Sequence, residues 1–466
     1  MIKKLGLLLA VLVSLVTLAT ATHAQVTGGS VTGSVVDAQG AVIPNATVGL
    51  REKQRGQALN TQTTDSGSFN FPNVPVGEYT ISVEQAGFAP VTQELKVTLN
   101  QATTVDVTLQ AGTVTETVDV TASSEALVQS DSSQLSSSFD SQQVLNLPVF
   151  GNQNALALLA PNVAERSAGV VGSGGSVGGT RPRGNSFNVD GVNNNEGVVT
   201  GPVLSTIQDA VQEFSLLSNN YNAEFGSGTG GQFNTVTKTG TNEFHGSGFY
   251  YAQSEKFNAA STTEETQLRG DAIADLPRFR DYRYGGTVGG PIVRNKLFFF
   301  GAYERNTNDS AAGTSQYFAP TEAGLNQIAA LPGASPFVVN FLRNNTILAP
   351  AGEFLNAVLG ASVPFGTVIL NLPSGAKQHL FQTNIDHLPN SRDQFRYRFS
   401  FQRLRAEQIG GQVASIPKFN NLLAYDARLF SATWVRTLSA SLVNDLRLSY
   451  RRRIQDFPLK SAEFDD

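Results

Sequence analysis

The sequence predicts a mainly β protein in which a small β-sandwich precedes the strands of a transmembrane β-barrel. Short alternating apolar runs, separated by Gly- and Pro-containing turns, fill residues 28–110. A second kind of alternation, with aromatic residues on one side and arginines on the other, occurs at Gln394–Gln402. After the N-terminal segment, no stretch approaches the ~18 continuous apolar residues that a membrane helix needs. Membrane crossing would therefore require a closed barrel, whose strands satisfy one another's backbone groups.

The N-terminus has the pattern of an export signal. Lys3 and Lys4 precede an apolar run, Leu5–Ala19, and a small-residue stretch ends at Ala24. We therefore expect residues 1–24 to be a signal peptide, cleaved before Gln25. The chain contains no cysteine, so its stability must come from core burial or from a membrane rather than from disulfides. Its net charge of -5 gives no basic surface for nucleic acid, and no nucleic-acid partner is expected.

Residues 25–112 are predicted to form the sandwich, since their alternating runs recur about every ten residues. The segment resembles the carboxypeptidase regulatory-like domain. The resemblance rests on Val31–Asp37, Pro44–Val48, Thr64–Phe69, Pro75–Tyr79 and Ala86–Phe88. It implies a carbohydrate-binding-like fold. No exposed aromatic platform for a sugar is evident, so a folded periplasmic spacer is the favoured interpretation.

Residues 113–141 combine a short alternating segment with a Ser-rich linker. The segment comprises Thr115, Glu116, Thr117, Val118, Asp119, Val120, Thr121 and Ala122. Such a segment can add as a strand to the edge of a partner's sheet. In this position it is similar to a TonB box, through which an inner-membrane energy-coupling protein pulls on a transporter. The alternative is that it is the last strand, or the linker, of the first domain.

Residues 142–240 resemble the plug of Oar-like TonB-dependent receptors. The motifs are Val144–Pro148, Ala157–Val163, Arg183–Val192, Gln212–Leu216 and Asn219–Gly226, and Gly230–Gly246 continues the match into the first barrel strand. These motifs follow one another in the order expected for such a plug, which argues against a chance resemblance. Arg181, Arg183 and Asp190 are candidate plug residues for contact with ligand. The alternative is that these charges pair with the barrel wall.

Residues 241–466 are predicted to be the first part of a transmembrane barrel of ~22 strands. A hairpin is expected within Tyr282–Tyr303, with its turn near 293–296, and a long extracellular loop at about 306–377. Helix-like pieces in that loop are Glu322–Ala330 and Phe337–Arg343. Because such a barrel needs well over ~300 residues, we expect this chain to lack the end of its barrel.

No catalytic, cofactor or metal site is predicted, so the protein is not expected to be an enzyme. His245, His379 and His387 are far apart and have no other ligand at metal-binding spacing. Gly226–Gly231 satisfies G-x-G-x-x-G but precedes a strand instead of joining a strand to a helix. Asp190–Asn195 lacks the alternating ligands of a calcium loop and predicts a tight turn.

The family resemblance implies active uptake of a bulky solute across the outer membrane. The expected partners are a TonB-type energy-coupling protein in the periplasm, outer-membrane lipid, and an extracellular substrate that is an iron chelate, a glycan or a peptide. We expect the N-terminal domain to lie in the periplasm. Two alternatives remain: a surface glycan-binding or adhesion protein that uses the sandwich, and an export or passive channel.

Overall fold

A computed structural model gives the architecture of most of the chain. It describes residues 27–112, 118–120, 133–147, 149, 152–165, 172–197, 201–222, 224–226, 228–260, 262–269, 276, 279–311, 315–370, 373–408, 421–439 and 442–456. The predicted signal peptide lies outside these residues, as does the Thr115–Ala122 segment except for its three central positions. The described part is mainly β, which confirms the predicted fold class.

The first part is a two-layer sandwich. Its strands are β1 (Gly28–Asp37), β2 (Thr47–Glu52), β3 (Ala58–Gln62), β4 (Ser68–Pro75), β5 (Gly77–Glu84), β6 (Val91–Val97), β7 (Ala102–Thr104), β8 (Val107–Leu109) and β9 (Val118–Val120). One sheet has the order β4-β1-β7, with β8 also paired to β1, and the other has the order β3-β2-β5-β6-β9. Alternating side chains of both sheets, among them Val31, Val48, Phe71 and Ile81, form one buried core. Burial of this apolar surface supplies the stability that disulfides provide in other exported domains.

The second part is a small domain built on the sheet β10-β15-β16-β13-β14. Its elements are β10 (Leu135–Asp140), α1 (Ser141–Asn146), β11 (Val163–Ala164), β12 (Ser176–Val177), β13 (Ser186–Val189), β14 (Val192–Asn193), β15 (Val211–Asn219) and β16 (Gln232–Thr237), with 3-10 turns at Gln153–Leu159, Pro182–Gly184 and Gln208–Ala210. Asp140 caps the N-terminus of helix α1. Its carboxylate accepts a hydrogen bond from the Gln143 backbone N–H, and the Gln143 side chain accepts one from the Asp140 backbone N–H. Val144, Phe214 and Phe233 anchor a separate core.

The third part is a wall of long antiparallel strands. Its elements are β17 (His245–Ser254), α2 (Thr262–Arg269), β18 (Phe279–Val293), β19 (Leu297–Ala311), β20 (Ser315–Pro320), α3 (Glu322–Ala329), α4 (Pro336–Asn345), β21 (Phe354–Val358), β22 (Ala361–Leu370), β23 (Pro373–His387), β24 (Asp393–Gln408), β25 (Asn421–Ser439) and β26 (Leu442–Asp456). The wall sheet has the order β17-β18-β19-β23-β24-β25-β26. Most of its strands have 15 or more residues, which exceeds the ~9–11 that a tilted membrane strand requires.

The two faces of the wall have opposite chemistry, as the alternation at Gln394–Gln402 predicts. Polar side chains are buried on the face toward the second domain: Arg283, Glu304, Gln382, Asn384, Asp386, Gln394, Arg398, Gln402 and Ser431. Large apolar side chains are exposed on the other face: Tyr250, Tyr284, Val288, Tyr303, Phe381, Ile385, Tyr397, Phe430, Leu446, Leu448 and Tyr450. This inversion of the soluble-protein pattern is typical of a wall between lipid and a polar lumen.

The excursion after β19 is shorter than predicted. The wall ladder continues through Ala311 and resumes at Pro373, so 306–311 and 373–377 are strand, not loop. Neither 306–311, which are Asn-Thr-Asn-Asp-Ser-Ala, nor 373–377, which are Pro-Ser-Gly-Ala-Lys, contains a large apolar side chain, so a test for apolar alternation does not detect this part of the ladder. The two predicted helices are present as α3 and α4, and they pack on the small sheet β20-β22-β21. Within the described ranges, no helix is both long and apolar enough to cross a membrane.

Candidate functional site

The second domain, which we call the plug (residues 133–240), lies against the polar face of the wall. Two apolar patches form part of this contact. Val192, Val203 and Leu204 pack on Ala427 and Leu429, and Ile207 and Ala210 pack on Phe300, Ala302 and Leu380. Both patches are small. Polar groups therefore make much of the remaining contact between plug and wall.

Asp190 occupies the centre of one polar cluster. It follows β13 in a two-residue turn with Gly191, both at positive φ, which an Asp-Gly pair adopts readily between paired strands. Its carboxylate accepts from the Thr237 backbone N–H at 2.9 Å and from the Thr237 hydroxyl at 2.7 Å. From the wall, Arg398 Nε approaches Asp190 Oδ2 at 3.8 Å and its Nη2 donates to Asp386 at 2.8 Å. The Arg398 and Asp386 side chains are 8% and 1% exposed, so this is a buried ion-pair cluster.

The last wall strand contacts the same plug hairpin through arginines. Arg447 donates to the carbonyl oxygen of Gly191. Arg451 donates to the backbone and side-chain oxygens of Asn193 at 3.1 and 2.7 Å. Guanidinium groups carry several donors in a fixed plane, so they hold backbone carbonyls with defined geometry. The β13–β14 hairpin is therefore fixed to the wall on two sides.

A second polar cluster lies where the plug enters β15. Asp209 is buried, its Oδ2 has no hydrogen-bond partner among the described residues, and Lys238 and Arg283 are near it. Burial raises the pKa of Asp209 and lowers the pKa of Lys238, while their mutual attraction opposes both shifts. Arg283, from the wall, also pairs with Glu304 at 3.2 Å. The charges of plug and wall thus stabilise one another away from bulk water.

The sandwich is attached to the plug through the end of β6 and the turn that follows it. Lys96 pairs with Asp140 at 3.2 Å, and the Leu99 backbone N–H donates to Glu213 at 2.8 Å. Gln134 donates to the Asn100 carbonyl oxygen at 3.0 Å. Glu213 is buried in the middle of the plug sheet, so its bond to Leu99 joins the interiors of the two domains.

The sandwich also contacts the wall at its short turns. The Asn242 backbone N–H donates to the Gln54 carbonyl oxygen at 3.1 Å. The Asn242 side chain also donates to the side chain of Asn295, in the β18–β19 turn, and accepts from its backbone N–H, both at 2.8 Å. Beside this contact, Arg55 donates to both carboxylate oxygens of Glu52 at 2.9 and 2.8 Å, and both side chains are buried. Burial lowers the pKa of Arg55, but attraction to Glu52 and Asp386, together with the hydrogen bonding to Glu52, outweighs burial and raises the pKa overall. A polar cavity of about 260 Å³ separates sandwich, plug and wall here.

The three candidate plug residues do not lie together. Asp190 is at the wall, as the pairing alternative predicted, whereas Arg181 and Arg183 are exposed at the Pro182–Gly184 turn. Within the described residues, no group of His, Asp and Glu could hold a metal ion. Sequence reasoning missed Lys96, Glu213 and Asp209. The D-x-x-Q capping pattern at Asp140 was a usable signal for α1, but contacts distant in sequence leave no local pattern.

Of the Thr115–Ala122 segment, the structure describes the backbone of 118–120 only. These residues form β9, which pairs parallel with β6 at the edge of the sandwich. Val118, Asp119 and Val120 align with Val91, Thr92 and Gln93. The backbone of these three residues therefore forms a strand of the first domain, which is the alternative to a TonB box that the sequence left open.

Comparison with known proteins agrees with this architecture. Residues 30–110 match the carboxypeptidase regulatory-like domain, and residues 236–465 match the outer membrane beta barrel domain. The barrel match places the protein in the outer membrane, as predicted. The TonB-dependent transporter Oar of Myxococcus xanthus is 28% identical over 289 residues, which cover 59% of this chain and 26% of that protein. The chain thus spans about a quarter of the length of this relative.

Two solved structures are similar to part of this chain. The outer membrane transporter YddB from Escherichia coli has a TM-score of 0.44 and 11% identity, covering 67% of this chain and 38% of that one. The siderophore receptor PirA from Acinetobacter baumannii has a TM-score of 0.38 and 14% identity, covering 69% of this chain and 44% of that one.

Proposed function

Because this chain is a homologue of a TonB-dependent transporter, with a carboxypeptidase regulatory-like domain and an outer membrane β-barrel domain, we propose that it takes part in active uptake across the outer membrane. The observation that carries the proposal is the plug: a separately folded domain held against the lumen face of a membrane wall by the Asp190–Arg398 ion pair and by hydrogen bonds from two arginines of the last wall strand. A passive channel needs an open lumen. A plug fixed by buried charges instead requires work to displace it.

Energy for that work would come from the inner membrane through the Thr115–Ala122 segment. The segment would add as a strand to a TonB-type energy-coupling protein and transmit its pull to the plug. The chain order supports this route, because residues 118–120 precede β10, the first plug strand. The proposed solute is an iron chelate, a glycan or a peptide.

The position of the sandwich supports a periplasmic location for the first domain. The sandwich contacts the wall beside the β18–β19 turn of residues 294–296, whereas the excursion with the described residues 315–370 follows the other end of β19. Outer-membrane barrels have short turns in the periplasm and long loops outside. Within residues 27–112, Phe69, Phe71 and Tyr79 are buried and Phe88 is half-buried against the sandwich core, so these residues present no aromatic platform and the surface-adhesion alternative is not favoured.

The test is deletion of residues 113–122 from the chromosomal gene of the source bacterium, with the rest of the gene left unchanged. The matched control removes the adjacent residues 123–132, a deletion of the same size in the Ser-rich linker. Accumulation of labelled ferric chelates, oligosaccharides and peptides is compared in the three strains, and membrane insertion is checked by fractionation. We expect loss of uptake only in the first deletion. Unchanged uptake in a strain lacking 113–122 would refute active transport through this segment.

A further inference from the structure

The strand expected to bind the energy-coupling protein is already paired within the molecule. β9 occupies the outer edge of β6, at the end of the sheet β3-β2-β5-β6-β9. Without β9, the N–H and C=O groups on that edge of β6 would lack strand partners. The sandwich edge and an external sheet edge therefore offer the same kind of backbone pairing to one segment.

The chain before β9 is held close to this edge. Phe88 and Ala111 form an isolated antiparallel bridge, and the Ala89 backbone N–H donates to the Gln110 carbonyl oxygen at 2.9 Å. The Gly112 N–H donates to the Gly87 carbonyl oxygen at 3.3 Å. Only residues 113–117 then separate this fixed point from β9. A short tether keeps the local concentration of the strand near β6 high, so the pairing recurs after each opening.

The other end of β6 is tied to the plug by the Lys96–Asp140 ion pair and by the Leu99–Glu213 hydrogen bond. The sandwich is therefore an anchored body. While β9 is paired with β6, a pull on 118–120 loads the sandwich, and the covalent path to β10 is loaded only after β9 has separated from β6.

Building on the proposed function, we propose that the β6 edge and the TonB-type protein compete for the Val118–Val120 backbone, so that the sandwich withholds the coupling strand. The pairing covers three residues in parallel orientation, the less stable arrangement per residue. A partner that pairs with more of the segment can displace it. The sandwich would then set the threshold for engagement of the energy-coupling protein.

The absence of native cysteine makes a disulfide test clean. Thr92 and Asp119 are paired positions on β6 and β9, and neighbouring strands lie within the Cα separation that a disulfide spans. The variant T92C/D119C therefore fixes β9 on the sandwich when oxidised. The matched control is S82C/T92C, which uses the same β6 position but joins it to its partner on β5.

The full chain of each variant is purified in detergent, and its affinity for the periplasmic domain of a TonB-type protein is measured with and without reductant. We expect oxidised T92C/D119C to bind at least tenfold more weakly than its reduced form, and S82C/T92C to bind equally in both states. Equal or tighter binding by oxidised T92C/D119C would overturn the competition, as would failure of this pair to oxidise when S82C/T92C does. If neither the wild-type nor any reduced protein binds, the proposed function fails and the competition fails with it.

Discussion

Substitution of Asp190 by Asn tests whether the buried polar cluster holds the plug to the wall. Asn is the suitable replacement because Asp190 has φ 49, a conformation that Asn tolerates and that Ala adopts only with strain. In D190N, the side-chain oxygen can still accept from the Thr237 backbone N–H. The new amide NH2 group cannot accept the Thr237 hydroxyl proton, and it no longer attracts Arg398.

The magnitude follows from the bonds that are lost. The hydrogen bonds between Asp190 and Thr237 lie within the plug, so the interaction that D190N removes from the plug–wall contact is the 3.8 Å ion pair with Arg398. Arg398 keeps Asp386 as a partner at 2.8 Å, so no cation is left unpaired. We therefore expect a loss of about 1 kcal/mol in the free energy of opening the plug–wall contact, or roughly fivefold in its opening equilibrium.

Hydrogen exchange followed by mass spectrometry measures this opening locally. Amides of β13 and β16, at 186–189 and 232–237, should exchange roughly fivefold faster in D190N, while those of the sandwich core strand β5 stay unchanged. The matched control is R181Q, which removes a charge from an exposed plug position. Unaltered exchange in D190N, or equal acceleration in R181Q, would show that Asp190 does not fasten the plug.

Three further predictions concern the sandwich and its attachment, and chemical denaturation of the chain measures each. R55A should lower the free energy of unfolding by ~3–5 kcal/mol, because it leaves the carboxylate of Glu52 buried and unpaired, and a smaller loss in the double variant E52Q/R55M would confirm that cause. G33A should destabilise the sandwich by ~1–3 kcal/mol or more, since the added Cβ would lie 1.8 Å from the backbone oxygen of Val105. The control G248A adds a Cβ where there is open space and should change stability little. Similar losses of stability in the two variants would contradict this prediction. D140A should cost ~1 kcal/mol at pH 7 by removing the cap of α1. Hydrogen bonds from the backbone of α1 hold the pKa of Asp140 below its ordinary value, so this contribution is present above about pH 4 and is lost as pH falls through the folded-state pKa; a wild-type advantage that persists at pH 2 would refute the assignment.

Local patterns predicted the elements whose side chains alternate or turn in a characteristic way. The aromatic–arginine alternation around Arg398 identified a wall strand and its lumen face, and the Asp190-Gly191 pair identified the turn that brings the plug to that strand. The partners of these residues were not predictable, because Asp190 and Arg398 are distant in sequence and their contact depends on how two domains pack. The contact between Leu99 and Glu213 escaped prediction for the same reason, and its donor is a backbone group that carries no residue signature at all.

The plug–wall contact combines two kinds of interaction that respond differently to displacement. Its apolar patches are small, so separating them exposes little surface to water. Its buried charges behave otherwise, because Asp190 loses Arg398 on opening but regains hydration as soon as water enters, while Arg398 keeps Asp386. A contact of this composition is specific when closed and has a lower cost of opening once wet than an apolar contact of equal area. If force reaches the plug only after β9 leaves β6, opening has two successive thresholds, a short backbone ladder and then a hydrated ion-pair interface. Under the proposed function, the first threshold would limit accidental engagement of the energy-coupling protein, and the second would hold the plug on the wall until force arrives.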